Sequence, residues 1–163
     1  MRALVLLPLI LVAAGCSKAA APSDGNAPTA PAAATSSSDG GAGGACGGHL
    51  NQADVQPLLS GPITAVKPAP SDPDSCVFST AGFSSITVTV RSTGGKQTLE
   101  SWHKGPVTPV AGVGDDAVWE AGIQELVASR GDTLCTVSAM GSEVSAATAE
   151  TEGALCAKVF AAG

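Results

Sequence analysis

Residues 17–45 consist almost entirely of Ala, Ser, Gly, Pro and Thr and contain no Leu, Ile, Val, Met or aromatic residue. Such a segment cannot bury enough apolar surface to offset the conformational entropy that it would lose on ordering. We therefore predict a disordered tether, with its ends about 30 Å apart on average. Hydrophobic periodicity begins at Cys46, so the folded domain of this 163-residue chain is expected within residues 46–163.

The first residues carry the pattern of an export signal. One positive charge at Arg2 precedes an apolar segment, and small residues lead to a cysteine. This order is typical of a secretory signal peptide with a small-residue cleavage site. The apolar segment is too short for a membrane span, which needs about 20 residues. A resemblance to the lipobox of bacterial lipoproteins is carried by the run Leu11-Val12-Ala13-Ala14-Gly15-Cys16.

The lipobox resemblance implies cleavage before Cys16, a diacylglycerol on its sulfur and, usually, acylation of its free amine. Residues 1–15 are then the signal peptide, 16–45 the lipid attachment site with the tether, and 46–163 the compact domain. The resemblance implies a lipid-anchored protein of the bacterial cell envelope, with its domain outside the cytoplasm. Ser17 stands where lipoproteins retained in the inner membrane often carry Asp, which favours the outer membrane if the source is Gram-negative.

The charge of the domain limits the classes of partner that we expect it to bind. From Cys46 onward, six lysines and arginines stand against twelve aspartates and glutamates, a net charge of −6. An acidic domain without a Lys/Arg cluster is a poor match for nucleic acid or for anionic lipid headgroups. We therefore expect no nucleic-acid partner, and we expect membrane attachment through the lipid on Cys16.

The periodicity of apolar residues predicts a mixed domain. Helices are expected at residues 51–60, 96–104 and about 148–162, and strands at residues 63–66, 76–79, 85–91, 123–129 and 133–140. The proline-rich stretch 67–74 is interpreted as a loop, and the glycines within 112–116 as a tight turn, after which Ala117 and Trp119 are expected to pack inward. This order predicts an α+β fold with a single antiparallel sheet of about five short strands, two or three helices on one face, and two disulfides.

Four cysteines remain once Cys16 is assigned to the lipid: Cys46, Cys76, Cys135 and Cys156. An even number of cysteines in an exported domain indicates disulfides, and four cysteines allow three pairings. Cys135 and Cys156 both fall on predicted buried faces. A bond between them would attach the last helix to the hairpin before it.

A second resemblance covers most of the domain. A cysteine opens the domain before a short Val/Leu helix and a glycine, and a second cysteine is followed by an aromatic, Cys76 and Phe78. The run from Gly112 to Trp119 is followed by a strand, a turn and another strand. These features are similar to those of a group of uncharacterised small lipoproteins and secreted domains of actinobacteria and proteobacteria. The resemblance implies a Cys46–Cys76 pair, and it supplies no catalytic residue.

Few residues point to catalysis or metal binding. The segment Cys46-Gly47-Gly48-His49 has ligand-like spacing, but the other histidine, His103, is far along the chain. A Gly-x-Ser-x-Gly motif is absent. Adjacent carboxylates are expected on solvated surfaces: Asp72 with Asp74, and Glu150 with Glu152. We therefore predict that the chain is not an enzyme and has no cofactor.

Two hypotheses for the function remain. The first is a non-enzymatic envelope lipoprotein that acts as a binding or assembly module, which requires a flat surface with an apolar patch. The alternative is a carrier or sensor of a small apolar ligand, which requires a closed cavity of roughly 300 Å³ or more, lined by Trp102 or Trp119. An envelope hydrolase ranks third, since Ser, His and carboxylate groups would have to converge.

Overall fold

The computed structural model describes residues 48–163, so the signal peptide, Cys16, the tether and Cys46 lie outside the described residues. The elements follow in the order α1 (Gln52–Val55), a 3-10 turn (Gln56–Leu58), β1 (Ile63–Ala69), β2 (Asp72–Thr80), β3 (Ser85–Arg91), α2 (Gly95–Trp102), β4 (Thr108–Pro109), β5 (Asp116–Glu120), β6 (Glu125–Arg130), β7 (Thr133–Met140) and α3 (Ala149–Ala162). Within this part of the chain, no helix has the length and apolar character needed to cross a membrane.

The strands form one antiparallel sheet in the order β1-β2-β3-β7-β6-β5-β4. The first three strands make a meander, and α2 then leads to the far edge of the sheet. Strands β4 to β7 return from that edge as a second meander, which closes by pairing β7 with β3. Ser85 pairs with Met140 at one end of this central pairing, and Arg91 pairs with Leu134 at the other.

Apolar clusters cover both faces of the sheet. Leu126 and Val127 are neighbours on β6, and they belong to different clusters because successive strand side chains point to opposite faces. Leu126 packs in the cluster that contains the buried residues of α1 and α3. Val127 packs with Leu99 of α2. Helix α2 therefore lies on the opposite face from α1 and α3.

The last helix agrees with the prediction from periodicity. Helix α3 begins at Ala149, after the N-cap Thr148, whose hydroxyl accepts a hydrogen bond from the Thr151 N–H at 3.2 Å. Its buried stripe contains the four predicted residues Leu155, Cys156, Val159 and Phe160. The first helix is shorter than predicted. Asn51 caps α1, but Pro57 confines the following residues to a 3-10 turn because proline lacks the N–H that a continuing helix needs.

The prediction of about five strands with all helices on one face is wrong, since the sheet has seven strands and α2 covers the second face. The largest omission is β5. Ala117 and Val118 are consecutive on this strand and both buried, because α3 covers one face of it and α2 covers the other. A strand buried on both faces shows no alternation of apolar and polar residues.

The stretch 67–74 was also predicted incorrectly, because its prolines were interpreted as loop residues. Pro68 lies on β1, which is an edge strand, and proline is tolerated on an edge strand because one side of it has no neighbouring strand to accept from its N–H groups. Pro73 precedes Ser75, where the pairing of β2 with β3 begins. Both prolines therefore occupy positions that an antiparallel sheet tolerates.

The fold prediction included two disulfides, and one is found among residues 48–163. It joins Cys135 of β7 to Cys156 of α3, with a Cα–Cα distance of 5.7 Å. The count of two is thus not met by the described structure. Cys46, the partner that the family resemblance implies for Cys76, lies outside the described residues.

Candidate functional site

The predicted site residues do not converge on one place. Cys135 and Cys156 form the disulfide that holds α3 against the sheet. Cys76 is buried in the same core cluster as Phe78. His103 and Asp116 are both exposed, and His103 Nε2 lies within hydrogen-bond distance, 2.8 Å, of an Asp116 carboxylate oxygen. Within residues 48–163, no group of three or more His, Cys, Asp or Glu side chains is arranged to hold a metal ion.

Two open grooves stand out on the surface of residues 48–163. One, of about 460 Å³, lies between residues 109–113 and α3, where the wall is made of small residues such as Gly153. The other, of about 910 Å³, lies at the end of the sheet where β3 stops, and Arg91, Arg130 and His49 line it. Neither groove is lined by Trp102 or Trp119, which pack against the two core clusters.

Three chain segments meet at the other end of the sheet, which we call the Phe83 end. They are the β2–β3 turn at residues 81–84, the β5–β6 turn at residues 121–124, and residues 140–143, which begin with the last residue of β7. The Ala139 N–H donates to the Gln124 carbonyl at 3.0 Å, and the Glu143 N–H donates to Ser84 Oγ at 2.9 Å. These bonds join the three segments into one continuous surface.

The Phe83 end exposes three large apolar side chains. Phe83 is 96% exposed, Met140 66% and Ile123 49%, and each comes from a different segment of this surface. The one other large apolar side chain that is strongly exposed among the described residues is Val66, which lies on β1. Scattered exposed apolar residues are ordinary, but a group at one place marks an interaction surface.

Two residues at the Phe83 end have strained backbone conformations. Phe83 has φ of 63° and Gln124 has φ of 51°, the left-handed region that side chains with a Cβ rarely adopt. Gln124 lies directly before β6, and Phe83 is separated from β3 by Ser84 alone. The fold thus holds an aromatic residue, almost fully exposed, at a position where glycine would be less strained. Such a combination is expected where the side chain serves a purpose other than stability.

Glu143 forms hydrogen bonds to several segments on one side of the Phe83 end. Its carboxylate accepts a hydrogen bond from the Thr80 hydroxyl, and its carbonyl oxygen accepts from the Ser60 N–H at 2.8 Å. A Cβ on Gly82 would lie 2.5 Å from Glu143 Oε1. The absence of a side chain at Gly82 therefore makes room for this carboxylate in the β2–β3 turn.

The other carboxylates at this end lack such partners. Glu120 and Glu125 are directly paired across β5 and β6, both are partly buried, and no Lys or Arg forms an ion pair with either in the described part of the chain. Burial raises the pKa of Glu125, and the nearby charge of Glu120 raises it further. Like charges that face each other across a strand pair are destabilising. A cation supplied by another molecule would therefore reduce the repulsion between Glu120 and Glu125.

A third carboxylate, Glu152, is buried on α3, on the face of the sheet that α3 covers. Its exposure is 0%, and neither oxygen has a hydrogen-bond partner within residues 48–163. Burial raises the pKa of Glu152 to about 8, and Glu125 raises it as well. The Trp119 indole and the backbone of Leu126 lie close enough to oppose this rise, but they do not reach hydrogen-bond geometry. The prediction that Glu152 is solvated is wrong.

No protein-family model, no curated protein and no solved structure matches this chain. The function therefore has to be inferred from the residues and from the geometry of the described domain.

Sequence reasoning missed the Phe83 end and the burial of Glu152, although the sequence contained a signal for each. A large aromatic residue in the short turn Ala81-Gly82-Phe83, between two strands, has no core to enter. Glu152 lies three and four residues before Leu155 and Cys156, so the stripe that was recognised on α3 includes it. Neither signal shows that the three segments meet, because that depends on the strand order.

Proposed function

We propose that this chain is a membrane-anchored lipoprotein of the bacterial cell envelope that acts as a non-enzymatic binding or assembly module. The anchor is inferred from the export signal and the lipobox-like run that ends at Cys16. The binding role is inferred from the Phe83 end. Its exposed Phe83, Ile123 and Met140 are the observation that carries the proposal.

The place where the described part of the chain begins supports this assignment. The described chain begins at Gly48, and the next residue, His49, lines the groove at the end of the sheet opposite Phe83. A domain held through Cys16 would therefore be attached at one end of its sheet. Its exposed apolar residues would lie at the other end, where they can reach a partner that is not at the attachment point.

The sheet edges offer no competing surface. Edge strand β1 contains Lys67 and Pro68 and has two register irregularities. Edge strand β4 has two residues, one of them Pro109. Short edges, prolines and lysines all oppose the addition of a strand from another chain. Binding by strand addition is therefore a poor fit, and the loops of the Phe83 end are a better one.

The alternative is a carrier or sensor of a small apolar ligand. The groove between residues 109–113 and α3 favours it, since its volume of about 460 Å³ lies in the range of ligand sites and its wall is apolar. A ligand site normally encloses most of its ligand. This groove is open along its length, which places the carrier role second.

The proposal is tested by chemical cross-linking in intact cells of the source organism, followed by purification of the lipidated protein and identification of what is attached. We expect the protein in the membrane fraction, with one stoichiometric protein partner. A Cys16→Ser variant is the control for the anchor, and it should leave the membrane fraction and lose the partner. Failure to find a partner with either form would contradict the binding role. A partner kept by Cys16→Ser would contradict a role for the anchor.

A further inference from the structure

We infer that the Phe83 end docks onto a protein surface that has an apolar centre flanked by lysine or arginine side chains. The inference rests on the proposed function, because it assigns the docking surface of that binding module and the chemistry of its partner. It goes beyond that function in excluding a lipid surface and a second copy of this chain as the occupant.

The apolar centre follows from the three exposed side chains. Phe83, Ile123 and Met140 come from turns or from a strand end, and hydrogen bonds between their segments fix the relative positions of these segments. An aromatic residue supplies a large contact area at low entropic cost, and aromatic residues and methionine are enriched in protein interfaces. Phe83 is the expected anchor, because nearly all of its surface is available for burial.

The flanking charges determine the kind of partner. The turns at 81–84 and 121–124 and the segment 140–143 contain no Lys or Arg. Glu120 and Glu125 stand at the base of the turn that carries Ile123, and Glu143 follows Met140 closely. A partner that brings a cation to the Glu120–Glu125 pair removes a repulsion inside this domain and gains a charge-assisted contact at the same time.

The same charges argue against the other occupants. Insertion of Phe83 and Ile123 into a membrane would bring these carboxylates to the headgroups, and anionic lipids would repel them. A symmetric dimer through this end would place Glu120 and Glu125 near the same residues of the second copy. A protein surface with an apolar centre and flanking cations is thus the occupant that complements both the apolar and the charged parts of the Phe83 end.

The test places the photo-cross-linker p-benzoylphenylalanine at position 83 of the full-length lipidated protein in its own cells. Position 93, an exposed residue at the opposite end of the sheet, is the control site. Mass spectrometry of the cross-linked peptide identifies the partner segment. We expect a cross-link from position 83 to one protein, at a segment in which apolar residues adjoin Lys or Arg, and no cross-link from position 93.

The charge requirement is tested with the double variant Glu120→Gln/Glu125→Gln, which removes the repulsive pair and so leaves the fold at least as stable. We expect the cross-link yield from position 83 to fall about tenfold, the loss typical of one hydrogen bond to a charged group. Asp74→Asn/Glu100→Gln is the matched control, because it changes the net charge equally at two exposed residues away from the Phe83 end. It should leave the yield unchanged.

The outcomes separate this inference from the proposed function. Cross-links from position 93 and not from position 83 would overturn the inference and leave a binding module that uses another surface. A cross-link from position 83 to lipid, to a second copy of the chain, or to a segment without Lys or Arg would overturn it as well. Equal cross-link yields for the two double variants would show that binding does not require the charges of Glu120 and Glu125. The absence of any cross-link from both positions would overturn both proposals.

Discussion

Glu152 and Trp119 lie close together in the core with unsatisfied polar atoms: the indole Nε1 and both carboxylate oxygens are buried and have no hydrogen-bond partner among residues 48–163. A buried carboxyl group without partners is held in its neutral form, since burial disfavours the charge. The domain therefore contains a carboxylic acid whose pKa, about 8, lies far above the ordinary value of 4.5.

The first prediction concerns the pH dependence of stability. The unfolded chain loses the Glu152 proton near pH 4.5 and the folded domain near pH 8, so the free energy of unfolding falls as the pH rises between these values. This contribution to the free energy of unfolding is fully present below pH 4.5 and lost above pH 8, a change on the order of 5 kcal/mol for this group. The variant Glu152→Gln should be more stable than the wild type at pH 8, as measured by urea denaturation.

The pH series supplies the control for this prediction. Near pH 4, the wild-type carboxyl is neutral in the folded domain and mostly neutral in the unfolded chain, so the advantage of Glu152→Gln should almost vanish. Glu150→Gln, an exposed position on the same helix, should have little effect at any pH. Parallel stability curves for the wild type and Glu152→Gln between pH 5 and pH 8 would contradict an elevated pKa.

The second prediction concerns the disulfide. Cys135 and Cys156 are 21 residues apart in sequence, and the bond restricts the unfolded chain by closing this loop. The double variant Cys135→Ala/Cys156→Ala should lower the free energy of unfolding by about 3 kcal/mol. Chemical denaturation without reductant measures the difference, and the double variant avoids leaving a single reactive thiol. A loss below about 0.5 kcal/mol would show that this bond adds little to the packing of α3.

The third prediction compares two glycines in the turn before β5. Both have positive φ, 81° for Gly112 and 63° for Gly114. A Cβ on Gly112 meets nothing within 4 Å, whereas one on Gly114 would overlap the Ser129 carbonyl oxygen and lie 2.9 Å from Phe160 Cε2. Gly112→Ala should therefore cost about 1 kcal/mol, from backbone strain. Gly114→Ala should cost about 3 kcal/mol or more in the same denaturation experiment. Equal losses would show that α3 and β6 move aside easily.

The strands differ in how well the sequence predicts them, and the reason is the environment of each face. The alternation of Ile86, Val88 and Val90 with polar residues identified β3, because these residues share the face that packs on the larger core cluster. Strand β5 was missed because α2 and α3 bury Val118 and Ala117 from opposite sides. The spacing of Leu99 and Trp102 predicted an amphipathic helix, but periodicity does not specify which face of a sheet the helix covers.

The candidate site was less predictable than the fold, since it depends on neighbours that are distant in sequence. The segments that carry Phe83, Ile123 and Met140 are neighbours only because β3 pairs with β7 and β7 pairs with β6. Glu152 differs from these residues, because its position depends on neighbours that are close in sequence. Its place on the stripe of α3 was visible in the sequence, but a charged residue was assumed to be solvated, and its burial is a feature that only the packed structure reveals.

The last prediction separates binding from stability at Phe83. Because its ring is 96% exposed and its φ is 63°, the side chain contributes little packing to the domain and strains the backbone. Asn tolerates the left-handed conformation better than Phe, so Phe83→Asn should keep or raise the free energy of unfolding by up to about 1 kcal/mol. The same change should reduce cross-linking to the partner about tenfold or more when p-benzoylphenylalanine is placed at position 140, because an anchor side chain is lost. Phe83→Leu, which keeps an apolar side chain, should retain most of the cross-linking. A Phe83→Asn variant that is destabilised, or one that cross-links as well as Phe83→Leu, would show that this residue serves the fold and not the partner.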